Sequence, residues 1–128
     1  MRMATTGLGT QNVDYINTHG TSTPVGDIIE LNAIKEVFGD RQPRVSSTKS
    51  LTGHSQGATG AHEVIYSLLM LQNDFITASA NIENLDPAAS DAAVVFNRID
   101  NAGLKVIISN SFGFGGTNVS LIFSLIND

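Results

Sequence analysis

Two histidines and a lysine lie in polar segments that are also rich in small and hydroxyl residues. His19 belongs to the segment 18–23, and Lys49 and His54 belong to the segment 48–60. A neutral imidazole can donate a hydrogen bond to an oxygen on which negative charge develops, without acting as an acid. We therefore predict that these residues donate hydrogen bonds to an oxyanion. A metal site is the weaker interpretation, because no carboxylate accompanies the two histidines at ligand spacing.

The segment 48–60 leads into the most apolar helix of the sequence. Its glycines and alanines let one backbone approach another closely, and apolar residues then recur at helical spacing as far as Leu71. The N-terminus of a helix carries a partial positive charge from its unpaired N–H groups, which biases a nearby histidine towards its neutral form. This fits the donor role expected of His54. For His62, which lies within the helix beside Glu63, a structural or surface role is expected.

The order of the elements predicts an α/β fold with a mixed sheet. A first helix fits residues 24–38, with Thr23 as its N-cap, Pro24 as its first residue and Gly39 as its stop. Helices and strands alternate in the first part of the chain, which predicts parallel strands there, whereas the last two strands should form a hairpin. Strands are expected at 13–17, 44–47, 93–96, 105–109 and 119–123, with an extended segment at 75–78.

Three polar loops, 18–23, 48–55 and 110–118, follow predicted strands. Ligand sites in open α/β sheets lie beyond the carboxyl ends of the strands, so these loops should meet at one edge of the sheet. The glycine-rich segment 113–116 precedes a strand and is not followed by a Lys-Ser/Thr pair, which disfavours a nucleotide-binding loop. We interpret it as a surface of backbone N–H groups suited to an oxyanion.

Composition limits the class of protein. The 128 residues suffice for a single domain, 1–128, with one core. The net charge of −5 argues against a nucleic-acid-binding surface, and the absence of cysteine excludes disulfides, zinc thiolates and a cysteine nucleophile supplied by this sequence. The longest apolar run, 64–71, is far too short to span a bilayer, and the first residues do not resemble a signal peptide. We therefore expect a cytoplasmic protein.

Three motifs in the sequence together resemble those of one enzyme family. They are DYINTHGTSTPVGD at 14–27, KSLTGH at 49–54 and NSFGFGGTN at 110–118. In this order they resemble the β-ketoacyl-acyl carrier protein synthases, and among these the type I synthases of bacterial fatty acid synthesis are the most similar. The resemblance extends over residues 13–126. It implies half of a thiolase-like fold, namely the C-terminal half, without the N-terminal domain that carries the catalytic cysteine.

The resemblance implies roles for four residues in the condensation of malonyl-acyl carrier protein with an acyl thioester. His19 and His54 resemble the two histidines that stabilise the enolate of the malonyl thioester as it decarboxylates. Lys49 resembles the active-site lysine, and Glu30 matches the carboxylate expected to pair with it. The resemblance implies neither a metal nor an organic cofactor.

Three further residues match substrate contacts of the family. Thr21 and Thr23 resemble the hydroxyl residues that hold the phosphopantetheine arm. The backbone N–H of Phe114 resembles half of the oxyanion hole, and its side chain resembles the gate of the acyl pocket. The other half of that oxyanion hole belongs to the cysteine that this sequence lacks.

Three functions are compatible with half of such an enzyme. As part of a condensing acyltransferase, the chain would not condense alone, because it lacks the cysteine. Alternatively, it is a stand-alone domain that binds acyl carrier protein or complements a cysteine-bearing partner half. The third function is a malonyl-thioester decarboxylase, which needs only His19, His54 and an oxyanion surface. Half of the fold would also expose an apolar face, so we expect a homodimer in which each copy replaces the missing half; no membrane or nucleic-acid partner is expected.

Overall fold

The computed structural model describes residues 1, 2, 4–7 and 9–125, so residue 126, where the resemblance ends, lies outside the described residues. The described chain alternates strands and helices before it ends in two long strands. The strands are β1 Tyr15–Asn17, β2 Arg44–Ser46, β3 Phe75–Ile76, β4 Ile99–Asp100, β5 Val106–Phe112 and β6 Asn118–Ser124, and the α-helices are α1 Gly26–Phe38, α2 Lys49–Thr52 and α3 Thr59–Asn73.

The described residues form a four-stranded sheet in the order β2-β1-β5-β6. Strand β1 is parallel to both β2 and β5, and β6 runs antiparallel to β5 as the second arm of a hairpin. The predicted α/β fold, with a parallel first part and a final hairpin, is therefore confirmed. Strands β3 and β4 form a separate antiparallel pair.

The sheet has a core on each face, because successive residues of a strand point to opposite sides. On one face, Ile16 and Ile108 pack against α1 through Ile34 and Phe38. On the other face, Tyr15 and Ile107 pack against α3 and its flanking loops. The sheet is thus covered by one long helix on each side, an arrangement typical of α/β proteins.

Helix α1 begins two residues later than predicted. Its first residue is Gly26 rather than Pro24, and the hydroxyl of Thr23 accepts a hydrogen bond from the Gly26 N–H at 3.2 Å. The predicted stop is confirmed: Gly39 has φ 62°, and its N–H bonds to the Lys35 carbonyl. That left-handed conformation suits glycine, which has no Cβ to clash.

Three of the apolar residues that recur along α3 do not lie on its buried face. Ile65, Leu68 and Leu69 are exposed, although they recur at helical spacing. The buried positions of α3 are Thr59, Glu63, Ser67, Met70 and Leu71. Helix α3 therefore turns a partly polar stripe towards the sheet and an apolar one away from it.

Two of the predicted strand segments also need correction. The segment 93–96 forms only a single bridge, between Val94 and Val45, rather than a strand. Strand β5 continues to Phe112, so residues 110–112 are part of a strand and not of the predicted turn. Among the described residues, no helix combines the length and hydropathy that crossing a membrane requires.

Candidate functional site

Two histidine rings lie next to each other at the carboxyl end of the parallel strands. His19 follows β1, and His54 follows the short helix α2 after β2. Their ring centroids are 5.6 Å apart and the ring planes are nearly perpendicular, at 87°. The ring of Phe112, at the end of β5, lies 5.7 Å from that of His19. The structure thus brings the predicted histidines together at the predicted edge of the sheet.

The imidazole of His54 is held at its Nδ1 atom. The backbone N–H of Gln56 donates to Nδ1 at 3.1 Å, and the hydroxyl of Thr59 lies 2.8 Å from the same atom. Because a backbone N–H can only donate, Nδ1 must be an acceptor. The neutral ring therefore carries its proton on Nε2, which makes that nitrogen a hydrogen-bond donor.

His19 lies in an environment that disfavours its charged form. Burial lowers the pKa of His19 from its usual 6.5 to about 4, with further contributions from the charges of Lys49 and His54. The imidazole is therefore neutral at pH 7 and can donate through one N–H without transferring a proton. Its Nδ1 atom is buried and has no hydrogen-bond partner among the described residues.

Lys49 forms a buried ion pair with Glu63, not with Glu30 as expected. Lys49 Nζ donates to Glu63 Oε1, and the exposed fractions of the two side chains are only 5% and 2%. Burial raises the pKa of Glu63, and the hydrogen bond and charge of Lys49 oppose that rise. The pairing prediction failed because Glu63 comes from α3, across the site from the loop that follows β1.

Glu30 instead holds the backbone of the loop that carries His19. Its two carboxylate oxygens accept hydrogen bonds from the N–H groups of His19 and Gly20, both at 3.0 Å. Asn110, a buried residue of β5, donates its side-chain amide to the same carboxylate at 2.9 Å. Burial raises the pKa of Glu30, while these hydrogen bonds oppose the rise. Glu30 thus ties α1, the His19 loop and β5 together.

The polar stripe of α3 supplies one contact to each of three site elements. Its residues are spaced four apart, so they lie on one face of the helix. The three pairs are Thr59 with His54, Glu63 with Lys49, and Ser67 with Asn17. Sequence reasoning missed this stripe, although polar residues at a spacing of four within an otherwise apolar helix were a signal that could have revealed it.

Comparison with known proteins identifies the family. Residues 1–83 of the 128 match the family described as "Beta-ketoacyl synthase, C-terminal domain". The chain belongs to the β-ketoacyl synthase family. The resemblance inferred from the three motifs is thereby confirmed.

Curated relatives within this family are considerably longer than the chain. It is 65% identical over 115 residues to 3-oxoacyl-(acyl-carrier-protein) synthase 1 of Haemophilus influenzae, covering 90% of this chain and 28% of the relative. It is 54% identical over 128 residues to the enzyme of the same name from Escherichia coli K12, covering 100% of this chain and 31% of the relative. The chain thus spans less than a third of the length of these relatives.

Solved structures of ketosynthases have the same fold. A β-ketoacyl synthase from Burkholderia phymatum superposes with a TM-score of 0.85 at 35% identity, over 92% of this chain and 29% of that one. A type II PKS ketosynthase, solved in complex with its acyl-carrier protein, superposes with a TM-score of 0.91 at 28% identity, over 98% of this chain and 31% of that one. These structures confirm the expected thiolase-like ketosynthase fold, and this chain spans less than a third of the length of each.

The threonines expected to hold the substrate arm of a β-ketoacyl synthase lie beside the histidines. The hydroxyls of Thr21 and Thr23 are 3.2 Å apart. Thr21 lines a cavity of about 390 Å³ together with Lys49 and His54, and Thr23 lines a neighbouring cavity of about 390 Å³. Both threonines therefore line the substrate cleft, which we define as these two neighbouring cavities.

Phe114 lies at the surface, and its role as the gate of the acyl pocket stays a prediction. It begins a 3₁₀ turn, Phe114–Gly116, and its side chain is fully exposed. The aromatic residue that lies against His19 is instead Phe112, the last residue of β5. Among the described residues, no group of three His, Cys, Asp or Glu is arranged to hold a metal ion.

Proposed function

We propose that this chain supplies the decarboxylating part of a 3-oxoacyl-(acyl-carrier-protein) synthase active site, used in fatty acid synthesis. The observation that carries the proposal is the pair of adjacent imidazoles, His19 and His54, of which His19 is kept neutral by burial and by the charge of Lys49. The 54–65% identity to synthases of that name supports the reaction class. This role assigns the chain to the cytoplasm.

The proposed reaction step is the decarboxylation of a malonyl thioester. The bond between the α-carbon and the carboxylate carbon breaks, carbon dioxide leaves, and the electron pair moves into an enolate whose charge falls on the thioester oxygen. N–H groups of His19 and His54 donate to that oxygen. Removing one such donor typically costs about a hundredfold to a thousandfold in rate. Burial is the main reason that His19 stays neutral, and the charge of Lys49 adds to it.

Condensation itself needs a nucleophilic cysteine, and the sequence contains none. We propose that the acyl-bearing thiolate is supplied by a cysteine-bearing partner half. The backbone N–H of Phe114 would then complete the oxyanion hole of that step, and its exposed side chain is free to cover the acyl pocket. Thr21 and Thr23 would hold the phosphopantetheine arm of the acyl carrier protein, the partner that accompanies the ketosynthase in one of the similar structures.

The test measures decarboxylation and condensation separately. Malonyl-acyl carrier protein and an acyl thioester are incubated with the chain, alone and together with the remaining segment of the Haemophilus influenzae relative. The products are identified by mass spectrometry. Condensation product should form only in the mixture, and His19→Ala or His54→Ala should abolish it. His62→Ala, which changes a histidine on the exposed face of α3, is the matched control. Condensation that survives both alanine variants would refute the proposal.

A second proposal concerns self-association, and the exposed face of α3 supports it. Ile65, Leu68 and Leu69 are exposed on that helix, and an apolar patch of this kind favours pairing. We expect residues 1–128 to fold as one domain and to pair as a homodimer through this face. Leu68→Glu should shift sedimentation towards monomer, whereas Ile29→Glu on α1 should not. A wild-type monomer at high micromolar concentration would contradict the pairing.

A further inference from the structure

Thr59 is a buried hydroxyl residue that touches the imidazole of His54. It is the first residue of α3, it is only 5% exposed, and its Oγ1 lies 2.8 Å from His54 Nδ1. A buried hydroxyl destabilises a fold unless it forms a hydrogen bond, and the imidazole provides that bond here. The contact therefore joins the loop that carries His54 to α3, a helix of 15 residues.

A second group reaches the same nitrogen from the short turn that follows His54. The N–H of Gln56 donates to His54 Nδ1 at 3.1 Å, from a residue whose φ of 53° lies in the left-handed region. Since a backbone N–H cannot accept a hydrogen bond, a proton on Nδ1 would be repelled by the proton of the Gln56 N–H. The hydroxyl of Thr59 then donates as well, and the two donors share the lone pair of Nδ1. Together they favour the tautomer with its proton on Nε2.

The two donors also restrict the orientation of the ring. The torsion that turns an imidazole about its Cβ–Cγ bond has a broad energy minimum, so one weak contact leaves the ring free to swing. Gln56 is exposed and belongs to a short 3₁₀ turn, whereas Thr59 is buried at the start of a long helix. The hydroxyl of Thr59 is thus the better-anchored of the two contacts at Nδ1.

We propose that Thr59 is a positioning residue, which holds His54 as the Nε2–H tautomer with that N–H turned towards the substrate cleft. The proposal rests on the proposed role of His54 as a donor to the enolate oxygen. Thr59 itself touches no reacting atom. It acts by limiting the imidazole to one tautomer and one orientation, so that the Nε2–H donor is already in place before the reaction begins. This is the general benefit of a preorganised donor.

The test compares Thr59→Val, which keeps the shape but removes the hydroxyl, with Thr59→Ser, which keeps the hydroxyl. The ring nitrogens of His54 are observed by ¹⁵N NMR in the intact chain, at a pH where the imidazole is neutral. The wild type should show mainly the Nε2–H tautomer. The valine variant should show a larger Nδ1–H fraction and averaged ring contacts, and serine should restore the wild-type signals. Thr52→Val, which removes an exposed hydroxyl bonded to Thr48 and Gly53 carbonyls, is the matched control.

The turnover prediction follows from the loss of one hydrogen bond at Nδ1. In the reconstituted mixture, Thr59→Val should lower kcat for malonyl decarboxylation by about tenfold and leave KM nearly unchanged. Unchanged tautomer signals and ring contacts in a folded Thr59→Val chain would overturn the proposal. If Thr59→Val does not fold, the same NMR comparison is made between Thr59→Ala and Thr59→Ser. The NMR readout needs no turnover, so an inactive mixture would reject the proposed function without affecting the assignment of Thr59.

Discussion

Lys49 and Glu63 form an ion pair in which both side chains are almost completely buried, with 5% and 2% of their surface exposed. Burying two charges is costly, and their attraction compensates only while both partners are present. Removal of either partner leaves an unbalanced charge in the interior. The pair also connects the short helix α2 to the long helix α3, so its integrity determines how these two elements of the site are joined.

Lys49→Met should therefore strongly destabilise the chain. We expect the free energy of unfolding to fall by about 3–5 kcal/mol, because the carboxylate of Glu63 loses its partner. Urea denaturation monitored by circular dichroism measures this. The control is Lys35→Met, since Lys35 pairs with Asp91 at the surface, where solvent screens the two charges and the pair contributes little to stability.

The double variant Lys49→Met/Glu63→Gln separates the charge from the packing. It removes both charges and keeps most of the volume, so part of the lost stability should return. A single Lys49→Met variant that is as stable as Lys35→Met would show that the buried pair contributes little.

The pKa of His19 gives a second prediction, with a defined sign. The folded chain keeps this imidazole neutral down to a pH of about 4, whereas the unfolded chain protonates it near 6.5. Between these values the unfolded state binds more protons, so the contribution of His19 to stability falls as the pH is lowered through the window. Above it the contribution is constant.

The measurement compares the wild type with His19→Asn. The raised pKa values of Glu30 and Glu63 make stability change with pH in the opposite direction to His19, but they do so in both proteins and cancel in the difference. The difference in the free energy of unfolding between the two proteins should shrink as the pH falls from about 6.5 to about 4. An NMR titration of the His19 ring gives the midpoint directly. A midpoint near 6.5 would contradict the prediction, and Lys49→Met should raise the midpoint because one of the charges that lowers it is gone.

Sequence reasoning predicted the sheet well because the pattern along the chain determines it. Alternating helices and strands require parallel pairing, and the glycine-rich turn before the last strand requires a hairpin. The proximity of His19 and His54 followed from that topology alone, since loops after parallel strands end at the same edge. These features depend on local pattern and chain order.

Helix α3 shows why the rest was not predictable in the same way. Apolar residues that recur at helical spacing usually face the core, because burial of apolar surface is the usual reason for that periodicity. The helix instead buries Thr59, Glu63 and Ser67, because these side chains find polar partners across the site. Such pairings depend on residues that are distant in sequence. The same limitation led to Glu30 rather than Glu63 being paired with Lys49.

A third prediction concerns the carboxylate of Glu30. Glu30→Gln keeps the size of the side chain but replaces one acceptor oxygen by an NH₂ group, which would face the N–H of His19 or Gly20. We expect a loss of about 1–3 kcal/mol in the free energy of unfolding, from a buried donor left without an acceptor. The amide signals of both residues should shift in an NMR spectrum. Glu36→Gln, at an exposed position of the same helix, should change neither quantity.

The last prediction concerns Gly20, which lies directly after His19 and has φ 30°. A Cβ built at this position would come within 2.8 Å of both the Ser47 Cβ and the Thr18 Oγ1, closer than real contacts allow. Ser47 also donates its hydroxyl to the Gly20 carbonyl at 2.8 Å, so it has little freedom to move aside. Gly20→Ala should therefore displace the loop that carries His19.

The expected result for Gly20→Ala is a loss of about 1–3 kcal/mol of stability, together with a larger distance between the two histidine rings. Gly57→Ala is the matched control, because a Cβ there would meet nothing within 4 Å and no left-handed φ is involved. Thermal melts give the stability, and ring–ring nuclear Overhauser effects between His19 and His54 report the geometry. If Gly20→Ala retained both the melting temperature and those ring contacts, the close approach of Gly20 to Ser47 would not be what holds His19 in position.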